Sequence, residues 1–288
     1  MGKDRSLDGK TVWITGGSLG LGLAAAEKCA EAGARLIISS RTESDLKEAV
    51  KRLKAKSSLE PSYRVMDVGA RSQVESQAQW AREKFGRIDG LVNCAGIYGP
   101  IGPLNAISMD EFTEAIRINF LGTVFMCHYF SGLMAARNGK IVNFSGGGAS
   151  TPFPNYSAYA SSKIALVRLT ENLAEEFKPL GISVNAVAPG FVITRLHQQT
   201  LKAGEKAGKA FLEGTQKQIE KGGVPPEKAA DLTAFLLSDA SSGITGKFIS
   251  APWDPWDKPE FVEKLKNRKD FATLRRIDDI HFTEAPHA

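Results

Sequence analysis

The stretch of sequence that decides the fold is KTVWITGGSLGLG, residues 10–22. KTVWIT is a run of β-branched and apolar residues that predicts a buried strand, and a glycine-rich turn follows it directly. Glycines allow such a turn to be tight and let its backbone approach a pyrophosphate group at the N-terminus of the next helix. A plain structural turn has a similar composition, but the preceding strand and the following helical pattern favour a dinucleotide-binding βαβ unit.

The same alternation of short apolar runs and amphipathic segments continues along the chain. We predict strands at 10–15, 35–39, 62–66, 88–93, 140–145 and 182–187. Helices are predicted after the glycine turn as far as residue 32, and then at 42–56, 70–85, 108–136 and 155–177. Because apolar strands separated by helices are typical of a parallel sheet covered on both faces, we predict an α/β fold of the doubly wound kind.

A second motif, YASSK at 159–163, lies within the last of these helices. Its tyrosine and lysine are one turn apart on the same helix face. An ammonium held there favours the tyrosinate, so we expect Lys163 to lower the pKa of Tyr159. A tyrosine tuned in this way exchanges a proton with a substrate oxygen, while a dinucleotide exchanges a hydride with the adjacent carbon. The two motifs together predict an oxidoreductase that acts on carbonyls or alcohols.

The bulk composition argues against several other functions. The net charge is +5, but no block of basic residues stands out, so we predict no nucleic-acid partner. The longest apolar runs have the length of strands, so we predict no membrane partner. The four histidines have no metal-ligand spacing, and we predict no metal site. Three dispersed cysteines and an N-terminus without an apolar leader favour reduced thiols and a cytoplasmic location.

The chain is predicted to form one domain with an extension. Residues 1–252 form a dinucleotide-binding catalytic domain. Within it, the polar and lysine-rich segment 194–223 is too long for a simple loop and predicts a mobile helical flap over the site. Residues 253–288 begin in the aromatic and proline-rich run APWDPWDKP and are predicted to be a C-terminal extension that packs on the domain.

The order of the motifs resembles the classical short-chain dehydrogenases/reductases. In chain order they are TGGSLGLG (15–22), NCAG (93–96), Asn119, Ser145, YASSK (159–163) and Pro189-Gly190. The resemblance covers roughly residues 7–250. It implies a Rossmann-type fold with a seven-stranded parallel sheet, a nicotinamide cofactor, and assembly into a homotetramer or homodimer.

The resemblance also implies roles for individual residues. Tyr159 would donate or accept the proton, Lys163 would tune it and bind the cofactor ribose, Asn119 would hold a water in a proton relay, and Ser145 would orient the substrate oxygen. Pre-placed donors of this kind stabilise developing oxyanion charge. The implied cofactor-binding residues are Gly16, Ser18, Leu19, Gly20, Leu21, Gly22, Asp67, Val68, Asn93, Cys94, Ala95, Gly96, Tyr159, Lys163, Pro189, Gly190, Val192 and Thr194.

The choice of cofactor depends on the residues that end the second strand. Sites that prefer NAD place a carboxylate there to accept a hydrogen bond from the ribose 2′-hydroxyl. This chain has Ser39-Ser40-Arg41-Thr42 instead, and a guanidinium suits a 2′-phosphate through its charge and its forked geometry. We therefore expect NADP, with Arg41 as a binding residue. If Arg41 only stacks on the adenine, NAD remains usable.

Two positions depart from the family pattern. Cys94 replaces the second Asn of NNAG, which changes a side-chain contact and keeps the backbone. The family serine commonly stands about thirteen residues before the tyrosine, where this chain has Gly146, and Ser145 is one residue early. A one-residue bulge in the flexible run Gly146-Gly147-Gly148 would bring the Ser145 hydroxyl into place, and this is our expectation. Otherwise the site lacks its serine.

The leading hypothesis is an NADP-dependent dehydrogenase or reductase of a small carbonyl or alcohol substrate. The alternative is a protein of this fold that binds the cofactor, has a weakened active site and serves a regulatory or structural role. The displaced serine motivates the alternative, and Tyr159, Lys163 and Asn119 argue against it.

Overall fold

A seven-stranded sheet runs through residues 5–135 and 138–276, which are the residues that the computed structural model describes. Its strands are β1 (Thr11–Thr15), β2 (Arg35–Ser40), β3 (Ser62–Val65), β4 (Gly90–Asn93), β5 (Lys140–Phe144), β6 (Ser183–Ala188) and β7 (Phe248–Ser250). The strand order is β3-β2-β1-β4-β5-β6-β7 and every neighbouring pair is parallel. The predicted doubly wound, Rossmann-type α/β fold is confirmed.

Helices cover both faces of the sheet. They are α1 (Gly20–Glu31), α2 (Glu43–Lys54), α3 (Arg71–Phe85), α4 (Met109–Ile116), α5 (Gly122–Met134), α6 (Ser157–Glu176), α7 (Arg195–Ala203), α8 (Lys209–Glu220), α9 (Pro226–Leu237) and α10 (Pro259–Asn267). Helix α9, which packs against α1, is absent from the sequence prediction. Helices α7 and α8, joined by a 3₁₀ turn, form the predicted flap segment.

The alternation of side chains along each strand explains the apolar runs. On β1, Val12 and Ile14 point into one apolar cluster, and Trp13 points into the other on the opposite face. Trp13 is fully buried and packs edge-on against Phe130 of α5, with ring centroids 4.9 Å apart. Because both faces are buried, every residue of a central strand has to be apolar or internally hydrogen-bonded.

The strand order reverses between β1 and β4, which opens a crevice at the carboxyl ends of these two strands. The glycine turn after β1 lies directly against the chain after β4. A Cβ on Gly16 would lie 2.9 Å from the Ala95 Cα, and Gly16 has a φ of 66°. A Cβ on Gly22 would lie 2.2 Å from the Gly16 carbonyl oxygen. Only glycine fits these two positions, so the turn motif forms one wall of the crevice.

The helix predicted at 108–136 is interrupted in the structure. Between α4 and α5 lies a π-helical turn, Arg117–Leu121, with Asn119 at its centre. The Asn119 side chain makes two hydrogen bonds with Ile97 in the loop after β4. Its Oδ1 accepts a hydrogen bond from Ile97 N and its Nδ2 donates one to Ile97 O, both at 2.8 Å. Such single-turn insertions are frequent at functional sites. The predicted end of this helix, Ala136, lies outside the described residues.

The described part of the C-terminal extension, 253–276, packs on the sheet and its helices. The buried Lys247 ammonium donates to the carbonyls of Arg268 and Phe271 at 2.6 and 2.9 Å. Phe248 N of β7 donates to Ala272 O at 2.7 Å. The extension therefore supplies acceptors for groups that the sheet edge would otherwise bury unpaired. Residues 277–288 lie outside the described residues.

Candidate active site

The crevice contains a cavity of about 350 Å³ between the glycine turn, the ends of β2, β3 and β4, and the start of α7. The sequence-predicted residues in its wall are Gly16, Ser18, Leu19, Gly20, Leu21, Gly22, Arg41, Asp67, Val68, Cys94, Ala95, Gly96 and Thr194. These residues come from five separate parts of the chain. The parallel sheet brings them together because the carboxyl ends of its strands share one edge.

Six predicted cofactor-binding residues are not in this wall: Asn93, Tyr159, Lys163, Pro189, Gly190 and Val192. Asn93 points into the core, where its Nδ2 donates to Asn143 Oδ1 at 2.9 Å. Pro189, Gly190 and Val192 lie in the loop between β6 and α7, and a Cβ on Gly190 would lie 2.8 Å from the Pro252 ring.

Ten cavity residues are missing from the sequence prediction. They are Ser39, Ser40, Thr42, Asp45, Met66, Ile97, Ile118, Arg195, Leu196 and Gln199. Some of them, such as Met66 before Asp67, are neighbours of predicted residues at the ends of strands. Their place in the cavity wall could have been predicted from the sequence. Arg195, Leu196 and Gln199 belong to the segment predicted to be a flap over the site, but no motif singles out these three residues.

The charges in the cavity wall are distributed unevenly. Asp67 is paired with Arg117, whose Nη2 lies 2.8 Å from Asp67 Oδ2. Burial alone would raise the pKa of Asp67, but hydrogen bonds from Arg117 and from Gly69 N lower it below its usual value. No carboxylate of the described residues lies within ion-pair distance of Arg41. Arg41 is therefore the cation in this wall that is left for an anionic ligand.

Tyr159 and Lys163 lie on the inner face of α6, next to the cavity. Both are more than nine-tenths buried. Lys163 Nζ donates to Phe144 O at 2.8 Å and lies 5.6 Å from the centre of the Tyr159 ring. A Cβ on Gly96 would lie 3.5 Å from Lys163 Nζ, so the amine faces the cavity wall.

Burial controls the protonation of this pair. It raises the pKa of the Tyr159 phenol and lowers the pKa of Lys163 to about 8. The expected lowering of the Tyr159 pKa by Lys163 is not found, because desolvation disfavours the charged forms of both groups. The phenol keeps its proton at neutral pH.

Asn119 is fully buried and its side chain is engaged by protein groups. Besides its two bonds to Ile97, its Nδ2 donates to Ser162 Oγ at 3.0 Å, and Ser162 Oγ donates to Tyr159 O at 2.7 Å. Asn119 therefore connects the loop after β4 to the helix that carries the tyrosine. The predicted water-holding role stays a prediction, and the observed contacts are those of a positioning residue.

Ser145 does not take the expected position beside the tyrosine. Ser145 N donates to Val187 O at 2.9 Å, so the chain continues in register with β6 without the predicted bulge. The Ser145 hydroxyl donates to Lys163 O at 3.3 Å. The residue beside the phenol is Gly146, where an added Cβ would lie 2.3 Å from Tyr159 Oη. The tyrosine hydroxyl thus occupies the space that a side chain at position 146 would fill.

Aromatic rings pack against the ring of Tyr159. We call Tyr98, Phe153, Tyr156, Tyr159 and Phe211 the aromatic cluster. Tyr98 meets Tyr159 edge-on, with ring centroids 4.8 Å apart, and Phe153 stacks on Tyr156 at 4.3 Å. Phe211 comes from α8, so the flap contributes to the cluster. Neither Tyr98 nor Phe211 stands in a motif that would have indicated this role.

The cavity fits a dinucleotide by the shape of its wall. Gly20, the first residue of α1, lines the cavity, and a Cβ there would meet only the Thr194 side chain at 3.6 Å, so the N-terminus of α1 has space for a close-lying pyrophosphate. Within the described residues no group of three or more His, Cys, Asp or Glu is arranged to hold a metal ion.

Comparison with known proteins identifies the family. The family model described as enoyl-(acyl carrier protein) reductase matches residues 16–251. Levodione reductase from Leifsonia aquatica is 36% identical over 247 residues, which cover 83% of this chain and 91% of that protein. The chain belongs to the classical short-chain dehydrogenase/reductase family. As a member of this family it is an oxidoreductase that transfers a hydride between a nicotinamide cofactor and a small carbonyl or alcohol substrate.

Solved structures of family members agree with the fold. NAD⁺-bound xylitol dehydrogenase has a TM-score of 0.79 at 27% identity and covers 85% of this chain and 98% of its own. Gluconate 5-dehydrogenase from Burkholderia cenocepacia J2315, in complex with NADP and tartrate, has a TM-score of 0.75 at 30% identity, with 86% and 95% covered. One of these short-chain dehydrogenases/reductases is bound to NAD⁺ and the other to NADP. Along the described chain, no helix combines the length and the apolarity that crossing a membrane needs.

Proposed function

We propose that this short-chain dehydrogenase/reductase uses NADP(H) and acts on apolar carbonyl compounds or the corresponding alcohols, with Tyr159 as the proton donor and acceptor. The observation that carries the proposal is the juxtaposition of the buried Tyr159–Lys163 pair with the cavity wall at Gly96. A regulatory protein with a weakened site is not favoured, because the relatives are reductases and dehydrogenases and the tyrosine and lysine are in place.

The proposed mechanism assigns proton transfer to the residues of this chain. When bound, the nicotinamide supplies or accepts the hydride. Tyr159, whose burial keeps the phenol protonated, donates its proton to the carbonyl oxygen during reduction. Lys163, with a pKa of about 8, is largely protonated at pH 7, and its ammonium stabilises the tyrosinate that this step leaves behind. Asn119 positions both by holding Ile97 and Ser162.

The charge of the cavity wall supports NADP over NAD. The end of β2 carries Arg41 and the hydroxyls of Ser40 and Thr42 where a carboxylate would favour NAD. Asp67 and Asp45, the two carboxylates in the wall, are paired with Arg117 and Arg195. An unpaired guanidinium next to hydroxyls suits a phosphate dianion.

Replacing Arg41 by alanine is expected to weaken NADPH binding by roughly tenfold to a hundredfold, since a hydrogen bond to a charged group contributes about 1.5–3 kcal/mol. NADH binding should change little, because NADH lacks the 2′-phosphate. Fluorescence titration gives both dissociation constants. Arg35→Ala is the matched control, since Arg35 is exposed at the opposite end of β2. An equal loss for both cofactors would indicate adenine stacking instead.

The aromatic cluster supports an apolar substrate. The substrate carbonyl has to reach Tyr159 Oη, the rings of Tyr98 and Phe153 pack edge-on against this tyrosine, and Phe211 packs against Phe153. A polyol in such surroundings would lose hydrogen bonds to water without replacement. We expect NADPH-dependent turnover of apolar ketones and little turnover of sugar-derived ketones at the same concentration. A preference for the sugar-derived ketones would contradict the proposed substrate class.

We further propose that the protein is a homo-oligomer, a tetramer or dimer, as the family resemblance implies. Leu121 beside α5 and Ile164 on α6 are apolar and more than a third exposed, as expected of an interface. Light scattering should give a multiple of the 31.1 kDa chain mass. A mass of 31.1 kDa that persists at high protein concentration would contradict this prediction.

The cytoplasmic location and the division into a domain at 1–252 and an extension at 253–288 remain predictions. The three cysteines are unpaired, which is consistent with a reducing compartment. A chain that ends at 252 and still binds NADPH would support the division, even if its open edge at β7 makes it prone to self-association.

A further inference from the structure

Arg195, the first residue of α7, lies in the wall of the cofactor cavity and has no part in the mechanism proposed above. It belongs to the flap, yet its side chain reaches the opposite wall. Arg195 Nη1 lies 3.4 Å from Asp45 Oδ2 on α2, four residues after Arg41. The start of α7 also lies over the glycine turn, since a Cβ on Gly20 would come within 3.6 Å of Thr194 Cγ2. The ion pair therefore spans the cavity mouth beside the end of β2.

The Arg195–Asp45 pair is exposed on its arginine side, and its 3.4 Å separation is long for a salt-bridge hydrogen bond. The Arg195 side chain is 70% exposed and the Asp45 side chain 25%. Exposed ion pairs of this kind contribute little to stability, because water screens them and two side chains have to be ordered. An anion of higher charge can therefore replace the Asp45 carboxylate at little cost.

A phosphate dianion is such an anion. It has several acceptor oxygens and is bound best by more than one guanidinium, each of which can donate two parallel hydrogen bonds. Arg41 and Arg195 both line the cavity at this end. Asp67, the other carboxylate in the wall, is already held by Arg117 at 2.8 Å, and Arg41 interacts with it only at longer range, without an ion pair.

We propose that Arg195 is a second cationic residue for the 2′-phosphate of NADP(H), which it binds opposite Arg41 after releasing Asp45. The inference rests on the proposed preference for NADP(H). It assigns a specificity-determining role to the flap itself.

Because Arg195 lies on α7, its contact with the 2′-phosphate would also affect the aromatic cluster around Tyr159. Thr200 lies on the same helix, and Tyr156 Oη of the aromatic cluster donates to Thr200 Oγ1 at 2.8 Å. A flap that is held to the cofactor phosphate therefore also holds the cluster around Tyr159. NADPH, with its phosphate, would order the substrate pocket, and NADH would do so less.

The test compares two adenosine fragments, 2′,5′-ADP and 5′-AMP, which differ only in the 2′-phosphate. Calorimetry gives their affinities for the wild type, Arg41→Ala, Arg195→Ala and Asp45→Asn. Lys202→Ala is the matched control, because Lys202 is exposed on the same helix outside the cavity wall. In Arg195→Ala we expect roughly tenfold weaker binding of 2′,5′-ADP, as for a lost charge-assisted hydrogen bond, and unchanged binding of 5′-AMP. Asp45→Asn should bind 2′,5′-ADP more tightly, and Lys202→Ala should bind both fragments normally.

Two results would overturn the role of Arg195. One is wild-type affinity of Arg195→Ala for 2′,5′-ADP, and the other is an equal loss for both fragments, which would place Arg195 on the 5′-phosphate. A wild-type protein that binds both fragments equally would overturn the proposed NADP preference itself. A wild-type preference that is lost in Arg41→Ala and kept in Arg195→Ala would refute only the inference about Arg195.

Discussion

Replacing Tyr159 by phenylalanine is expected to lower kcat by about 10²–10⁴-fold, the usual effect of removing a general acid. Cofactor affinity should stay nearly unchanged, because the proposed ribose contact is Lys163, whose amine faces the wall at Gly96 and is held by Phe144 O. The phenol has one polar atom, and that atom is the proposed proton donor. The substitution removes it and keeps the ring that packs against Tyr98.

The measurement is NADPH oxidation with an apolar ketone, together with the dissociation constant of NADPH from tryptophan fluorescence. Tyr156→Phe is the matched control. Tyr156 lies in the same aromatic cluster and donates to Thr200, but it has no proposed part in proton transfer. The control loses the bond that ties the cluster to α7, and it should still lose far less turnover than Tyr159→Phe. A Tyr159→Phe enzyme with the wild-type kcat would remove Tyr159 from the mechanism.

Substitutions at Gly146 are expected to have the second large effect. In Gly146→Ala the new Cβ would lie 2.3 Å from Tyr159 Oη, so the hydroxyl has to move. A displacement of about 1 Å at a reacting group can cost about 10²-fold in rate, and we expect a loss of that order in kcat. Gly146→Ser displaces the phenol equally but adds a hydroxyl that can donate to the substrate oxygen. It should keep about tenfold more activity than the alanine variant, as expected for one charge-assisted hydrogen bond.

Ser145→Ala provides the comparison for these variants. Its hydroxyl donates to the Lys163 carbonyl and not to the phenol, so the variant should keep its kcat and lose only about 1 kcal/mol of unfolding free energy. Steady-state kinetics and thermal unfolding measure the two effects separately. A wild-type kcat in Gly146→Ala would show that the Tyr159 hydroxyl can shift without loss of rate, and would contradict the prediction. A hundredfold loss of kcat in Ser145→Ala would instead support the role that the sequence predicted for Ser145, orienting the substrate oxygen.

The sheet and the glycine turn were predictable because their signals are local. Six strands follow from apolar runs such as RLIIS, and their ends lie within two residues of the predicted positions. The meeting of the glycine turn and NCAG in the cavity wall was predictable too, since both follow parallel strands, whose carboxyl ends lie at one edge of the sheet. The seventh strand, Phe248–Ser250, has three residues, and it was expected only through the family resemblance.

The register at Ser145 was not predictable, because it depends on the partner strand. The glycines that follow allow a bulge, but Ser145 N bonds to Val187 O and keeps the ladder regular. The break at Asn119 has a similar cause, since the helical pattern of 108–136 is continuous in sequence and its π turn is held by Ile97 from another loop. The aromatic cluster joins residues from the β4 loop, α6 and the flap, and no spacing along the chain indicates that they meet.

The anchoring of Lys247 affects how the chain folds as it is synthesised. The ammonium and the β7 edge depend on carbonyls of residues 268–272, which leave the ribosome after the sheet residues they pair with. At about 5–20 residues per second, the delay between Lys247 and Arg268 is roughly one to four seconds. During this interval the buried ammonium lacks its acceptors and the last strand lacks one of its neighbours. The final edge of the sheet is therefore expected to close late, and a chain that stops at 252 would keep this unfinished edge and be prone to pairing with other chains.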